Sequence, residues 1–154
     1  MLSKKELLII CHLRDNARET LTNISKKTKI PISTIYQKLS ANFNGIIKKH
    51  VALIDFSLLG YSIRANIMVS VPKSQRLALK DFLLKQFQVN SVYKVNNGFD
   101  FLIEGIFKDI CEVEDFIETL EDQFQVEKTQ INYLIQDLKR EAFLSDPKLI
   151  EFLG

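Results

Sequence analysis

The sequence predicts an α+β protein in which an N-terminal winged helix-turn-helix joins a C-terminal βαββαβ, ferredoxin-like domain. Three observations carry this. Short helical patterns interrupted by a proline fill the first fifty residues, and from residue 62 alternating and helix-periodic segments follow in β-α-β-β-α-β order. The charge also divides. Residues 1–52 hold ten basic and three acidic side chains, a balance of +7, and the rest hold eleven and sixteen, a balance of −5. A basic front on an acidic back is the pattern of a polyanion-binding module carried by a second domain. The expected organisation is 1–52 as the helical domain, 53–61 as a strand linker, 62–141 as the βαββαβ domain and 142–154 as an apolar tail.

With 46% hydrophobic residues and only five Gly and three Pro in 154, the chain can bury a core and is not a disordered tail. No apolar run approaches a membrane span, and charges break "MLSKKELLIICHLRD" before a cleavable signal forms, so the expected location is cytoplasmic. Cys11 and Cys111 are expected to be buried thiols, not a disulfide or metal site.

Ser3 and Glu6 form a Ser-x-x-Glu capping box, and Leu7, Ile10, Cys11 and Arg14 continue at helical spacing to about Arg14. Thr20 or Thr22 caps a second helix, "LTNISKKT", with Leu21 and Ile24 inward and Lys26 and Lys27 outward. "KIPI" stops it, because the residue before Pro31 is pushed out of helical geometry. Ser33 is expected to cap a third helix whose stripe is Ile35, Leu39 and Phe43. "NGIIKKHVALIDFSLLG" then reads as a wing, two short strands around Lys48-Lys49-His50.

Three short helices with a tight turn between the last two have the layout of a helix-turn-helix, whose last helix enters the major groove of double-stranded DNA. Ser33, Thr34, Tyr36, Gln37 and Lys38 are the base-facing candidates, since Gln bonds adenine in a bidentate way and hydroxyls adapt to several bases. Lys26, Lys27, Lys29, Lys48 and Lys49 are placed to neutralise phosphates, adding salt-sensitive affinity with little sequence choice.

In the back half, "YSIRANIMVSV" alternates as a half-buried strand that Pro72 ends. "SQRLALKDFLLKQF" gathers Leu79, Phe82, Leu83, Gln86 and Phe87 on one helical face. "VNSVYKV" and "FDFLIEGIF" form a hairpin about Asn96-Asn97-Gly98. Asp109 opens a helix with Ile110, Val113, Ile117, Leu120 and Phe124 inward, and "QVEKTQINYLIQDL" is the fourth strand. Two helices cover one sheet face, and a second copy of the chain is the simplest cover for the other. The carboxylates of the second helix read as a solvated face rather than a cation site.

Taken together, "ISKKTKIPISTIYQKL", "GIIKKHVALIDFSLLG" and "VNNGFDFLIEGIF" resemble the leucine-responsive regulatory protein/AsnC family of feast/famine transcription regulators over roughly Leu2 to Glu141. The resemblance implies a RAM/ACT-like C-terminal domain, a DNA-binding homodimer, assembly into octamers or open arrays, and an amino-acid effector near the central hairpin. Carried over by position, Asn97, Gly98 and Asp100 mark the effector loop. This chain departs from the family in four places: Gln37 and Lys38 replace arginines on the third helix, Asn42 replaces a leucine, the hairpin Gly falls one place late, and the acidic residue after it is missing. Two alternatives stand beside the regulator. One is an effector-binding or assembly module without DNA binding. The other is an enzyme like the family's sirohaem-decarboxylase relatives, which needs His or Arg in a cleft of the back half. The histidines, His12 and His50, lie in the front half, and Arg64, Arg76 and Arg140 are scattered. The sequence has no catalytic or metal-ligand pattern, so the expectation is a non-enzyme without cofactor.

Overall fold

The apolar residues fall into two sets, and the computed structural model, which describes residues 2–152, folds each set around its own core. Residues 1–53 and 138–154 make one compact unit and residues 54–137 the other. Among the described residues no helix is long and apolar enough to cross a membrane.

The amino-terminal unit begins with α1 (Lys4–Asp15), closed by the expected capping box: Glu6 N–H donates to Ser3 Oγ, and Ser3 N–H donates to Glu6 Oε2 at 2.8 Å. Helices α2 (Leu21–Thr28) and α3 (Ile32–Ser40) follow, with Thr20 as the α2 cap. Ile9, Ile10, Leu13, Ile24, Ile30, Ile35 and Phe43 form the core. Pro31, not Ser33, begins α3, its φ of −57° already suited to helix initiation, which leaves the Ser33 hydroxyl free of capping. Phe43 does not reach the core from α3, which ends at Ser40. It arrives through a left-handed turn, Asn42–Gly45, with φ of 46°, 47°, 55° and 84°. That conformation costs Phe43 about 1–2 kcal/mol. Complete burial of its ring, worth roughly 1.5–3 kcal/mol, is the larger effect.

The expected wing is not formed. Among the described residues no strand lies between Gly45 and Ile63, and Ile46, Val51, Leu53 and Ile54 are exposed. A two-stranded ribbon is marginal without an apolar face to bury, and of this segment only Ile47 packs on the core. Nor is 53–61 a strand. It contains a 3₁₀ turn, Phe56–Leu59, because Asp55 Oδ1 accepts from Ser57 N–H at 3.0 Å and caps it. The apolar tail packs within the amino-terminal unit. Its 3₁₀ segment, Pro147–Phe152, lies against α1. Arg14 holds the approach, donating from Nε to the Phe143 carbonyl at 2.5 Å and from Nη2 to the Glu141 carbonyl at 2.9 Å. Ile150 is buried, whereas Phe143 and Leu149 remain exposed. The Phe152 side chain and Leu153, further apolar residues of the tail, lie outside the described residues.

The second unit has β1 (Ile63–Ser70), α4 (Arg76–Leu83), β2 (Val89–Lys94), β3 (Phe101–Phe107), α5 (Ile110–Phe124) and β4 (Lys128–Tyr133). The sheet order is β2-β3-β1-β4, with every pair antiparallel. Ala65, Ile67, Val69 and Val71 point to the helices and meet Leu79 and Leu83 of α4 and Val113, Phe116, Ile117, Leu120 and Phe124 of α5. Asp109 caps α5 by accepting from Glu112 N–H at 3.0 Å. Ile110 is exposed in the first turn, and Phe87, beyond the end of α4, lies outside the core beside the Tyr61 ring. Cys11 is buried, but Cys111, on the same turn as Ile110, is exposed.

Gly105 sits in β3 because the sheet has no room for a side chain there. A Cβ would lie 2.4 Å from Phe107 Cε2, and that ring is itself fully buried. Gly105→Ala is therefore expected to destabilise the protein by about 1–3 kcal/mol through overpacking. Denaturant unfolding checks this. A change within experimental error means that Phe107 can move.

Candidate nucleic-acid interface and effector loop

The outward face of α3 is set by the way α2 stops. Thr28 Oγ1 donates to the Ile24 carbonyl at 2.7 Å, and the Ile30 N–H donates to the same hydroxyl at 3.4 Å. Ser25 Oγ donates to the Ile30 carbonyl at 2.6 Å. Between them Lys29 takes the left-handed conformation, φ 58°, ψ 28°, usually left to glycine at a helix end. Pro31 then starts α3, so only Lys29, Ile30 and Pro31 separate the two helices. Burial of Ile30 beneath the turn and of Ile35 in the first turn of α3 fixes which face of α3 looks outward.

At about 100° per residue, Ser33 and Gln37 point about 160° from the buried Ile35, and Ser40 about 140°. All three are exposed, as are Thr34 and Tyr36 on the flanks. Ser33, Gln37 and Ser40 thus form one strip of hydroxyls and an amide. Ser40 was not among the residues expected from sequence, although its i, i+4, i+7 relation to Ser33 and Gln37 places it on their face. Lys38 is displaced from this strip. It lies about 60° from Ile35, and its ammonium pairs with Glu6 of α1 at 2.5 Å.

The other lysines divide into two groups. Lys27 pairs with Glu19 at 3.0 Å. Lys26, Lys29, Lys48 and Lys49 are exposed and have no ion pair among the described residues. Lys48 and Lys49 lie in the irregular segment after the left-handed turn, not on a hairpin tip. The Lys38 ammonium, with help from the Ser3 cap, brings the Glu6 carboxyl down to about 2. Lys27 likewise holds Glu19 below the usual carboxylate range.

In the second unit, Asn97 and Gly98 both have positive φ, 63° and 86°, as a tight hairpin turn requires. Asp100 does not face the loop. Its Oδ2 accepts from Val71 N–H at 2.9 Å and its Oδ1 pairs with Arg76 Nε at 2.8 Å, tying the hairpin to the end of β1 and the start of α4. Lys128 is the charged group beside the turn, its Nζ lying 3.8 Å from where a Cβ on Gly98 would stand. The structure therefore brings Asn97 and Gly98 together and directs Asp100 to a structural task.

Residues 64–143 match the family model of the Lrp/AsnC ligand-binding domain. The HTH-type transcriptional regulator FL11 of Pyrococcus horikoshii is 30% identical over 113 residues, covering 73% of this chain and 75% of the relative. An uncharacterised HTH-type transcriptional regulator of the same organism is 27% identical over 139 residues, covering 86% and 90%. The fold is similar to that of a Neisseria meningitidis transcriptional regulator solved with L-Met, with a TM-score of 0.81 and 22% identity over 91% of this chain and 94% of that one. Bacillus subtilis LrpC gives a TM-score of 0.80 at 17% identity, covering 90% and 98%.

Because the folded-state acidity of Glu6 lies below its ordinary value near 4.5, its pair with Lys38 contributes stability that is complete above about pH 4.5 and is lost as pH falls toward 2. Thermal melts across this window are expected to show a steeper fall for the wild type than for Glu6→Gln; parallel curves overturn the assignment. Thr28→Val, which keeps the shape but leaves the Ile30 N–H without its acceptor, is expected to cost about 1–2 kcal/mol in chemical unfolding.

Proposed function

Because the chain belongs to the Lrp/AsnC family, whose matched relatives are named HTH-type transcriptional regulators, we propose that it is a sequence-specific DNA-binding regulator. In this reading α2 and α3 form the helix-turn-helix, and α3 enters the major groove. The observation that carries the reading is the exposed strip Ser33–Gln37–Ser40, held outward by the three-residue turn, with exposed Lys26 and Lys29 on the preceding helix and turn. Gln37 reads a base edge, and Ser33, Thr34, Tyr36 and Ser40 supply adaptable contacts. Lys26, Lys29, Lys48 and Lys49 neutralise phosphates. Without an arginine on α3, bidentate readout of guanine by a guanidinium is not available, and adenine is the natural partner of Gln37.

The protein acts as a homodimer in this reading. The sheet face turned from the helices carries Met68 and Leu102 between polar side chains, and a second copy covers it. The hairpin turn at Asn97-Gly98 is the effector loop, and a small molecule of the amino-acid class bound there biases assembly. Support comes from the family match over 64–143 and from the L-Met bound by the Neisseria relative. Asp100 supports this loop through Val71 and Arg76 and does not hold the ligand itself.

Selection of bound fragments from random duplex DNA, with sedimentation of the same sample, tests the reading. The expected result is a palindromic site with half-sites one or more helical turns apart, bound by a dimer. Failure to enrich any duplex overturns it. On the selected site, Gln37→Ala is expected to weaken binding by about 1–3 kcal/mol and to relax one base position. Lys29→Gly keeps the turn while lowering the salt slope by about 0.9. Gel shifts at several salt concentrations separate the two effects.

A further inference from the structure

Two carboxylates of the amino-terminal unit share an unusual construction. Glu6 is anchored at the start of α1 by Oε2, which accepts from Ser3 N–H at 2.8 Å and from Ser3 Oγ at 2.9 Å, and its Oε1 holds the Lys38 ammonium. Glu19 is anchored just before α2 by Oε1, which accepts from Thr20 N–H at 3.2 Å and Asn23 Nδ2 at 3.1 Å, and its Oε2 holds Lys27. In each case helix-capping bonds fix one oxygen and the other captures a lysine of the reading helices. Such carboxylates are preorganised acceptors, unlike the mobile partners of an ordinary surface pair, which contribute little. Leu2, Phe43, Asn44 and Ile46 line the shallow recess around Glu6 and Lys38.

We propose that Glu6 is a specificity-determining residue of the DNA-binding reading above, acting through Lys38. By keeping the Lys38 ammonium on α1, it withholds one cation from the phosphates at the flank of α3. The inference rests on that reading. A released lysine adds affinity for every duplex alike, and each phosphate it neutralises steepens the salt dependence by about 0.9. Specificity is a difference of affinities, so suppressing the sequence-independent part leaves more of the choice to the uncharged strip of Ser33, Gln37 and Ser40. Glu19 does the same for Lys27.

The test compares wild type, Glu6→Gln, Lys38→Gln and the double variant by fluorescence anisotropy, on a selected site and on a scrambled duplex, across a salt series. Glutamine still serves in a capping box, so α1 retains its first turn in Glu6→Gln. Glu6→Gln is expected to bind scrambled duplex several-fold more tightly, with a slope steeper by about 0.9 and a reduced ratio of selected to scrambled affinity. Lys38→Gln is expected to match the wild-type slope, and the double variant to return to it. A shallower slope in Lys38→Gln shows that Lys38 already contacts phosphate and overturns the inference. A double variant that stays steep assigns the effect to the Glu6 charge itself and overturns it equally. Both outcomes leave the DNA-binding reading intact, whereas a wild type that binds no duplex removes the reading and the inference together.

Discussion

What the amino-terminal helices present to their surroundings depends on one backbone conformation, the left-handed Lys29. A lysine there costs about 1–2 kcal/mol relative to glycine. The hydroxyls of Ser25 and Thr28 offset it by satisfying the Ile24 and Ile30 backbone groups, at about 1 kcal/mol for each bond made. The conformation turns the chain sharply enough for Pro31 to begin a new helix, and burial of Ile30 and Ile35 then sets its rotation. Without that rotation Ser33, Gln37 and Ser40 would not share one outward strip. Small polar side chains inside the turn therefore decide the chemistry of a face that they do not join.

The second unit solves a different problem, holding a tight hairpin against a packed sheet. Asp100 bridges Val71 and Arg76, Gly105 clears room for Phe107, and Asn97 and Gly98 take the positive φ values that close the turn. The carboxylate nearest the loop is thus committed to architecture, and the cation beside the turn is Lys128. Around the turn lie the Asn97 amide, backbone groups and the Lys128 charge.

Much of this was legible in the sequence. The Ser3/Glu6 box, the stop at Pro31, the buried Ile35 and the alternation through Ile63–Ser70 each rest on local chemistry, which short patterns report well. The order of the later elements followed from the same periodicities. The failures lie where distant partners decide. Val51, Leu53 and Ile54 have strand-like propensity, but no apolar face is present for a ribbon to bury. The ion pair of Lys38 was not legible, because nothing in its own helix announces Glu6, thirty-two positions earlier. Nor were the contacts of Asp100, because Arg76 and Val71 meet it only after the sheet forms. The destination of the tail was hidden for the same reason, since its anchor, Arg14, sits at the opposite end of the chain.

That anchor makes the amino-terminal unit discontinuous. The chain leaves it after Leu53 and re-enters it at Leu138, with the whole sheet between. During synthesis the three helices emerge before the sheet, and the carbonyls that Arg14 grips emerge after it. A nascent chain completes its sheet before it completes the helical unit. A chain cut before Leu138 would carry the helical strip on a base lacking this strap, which ties assembly of that exposed face to residues made after the sheet.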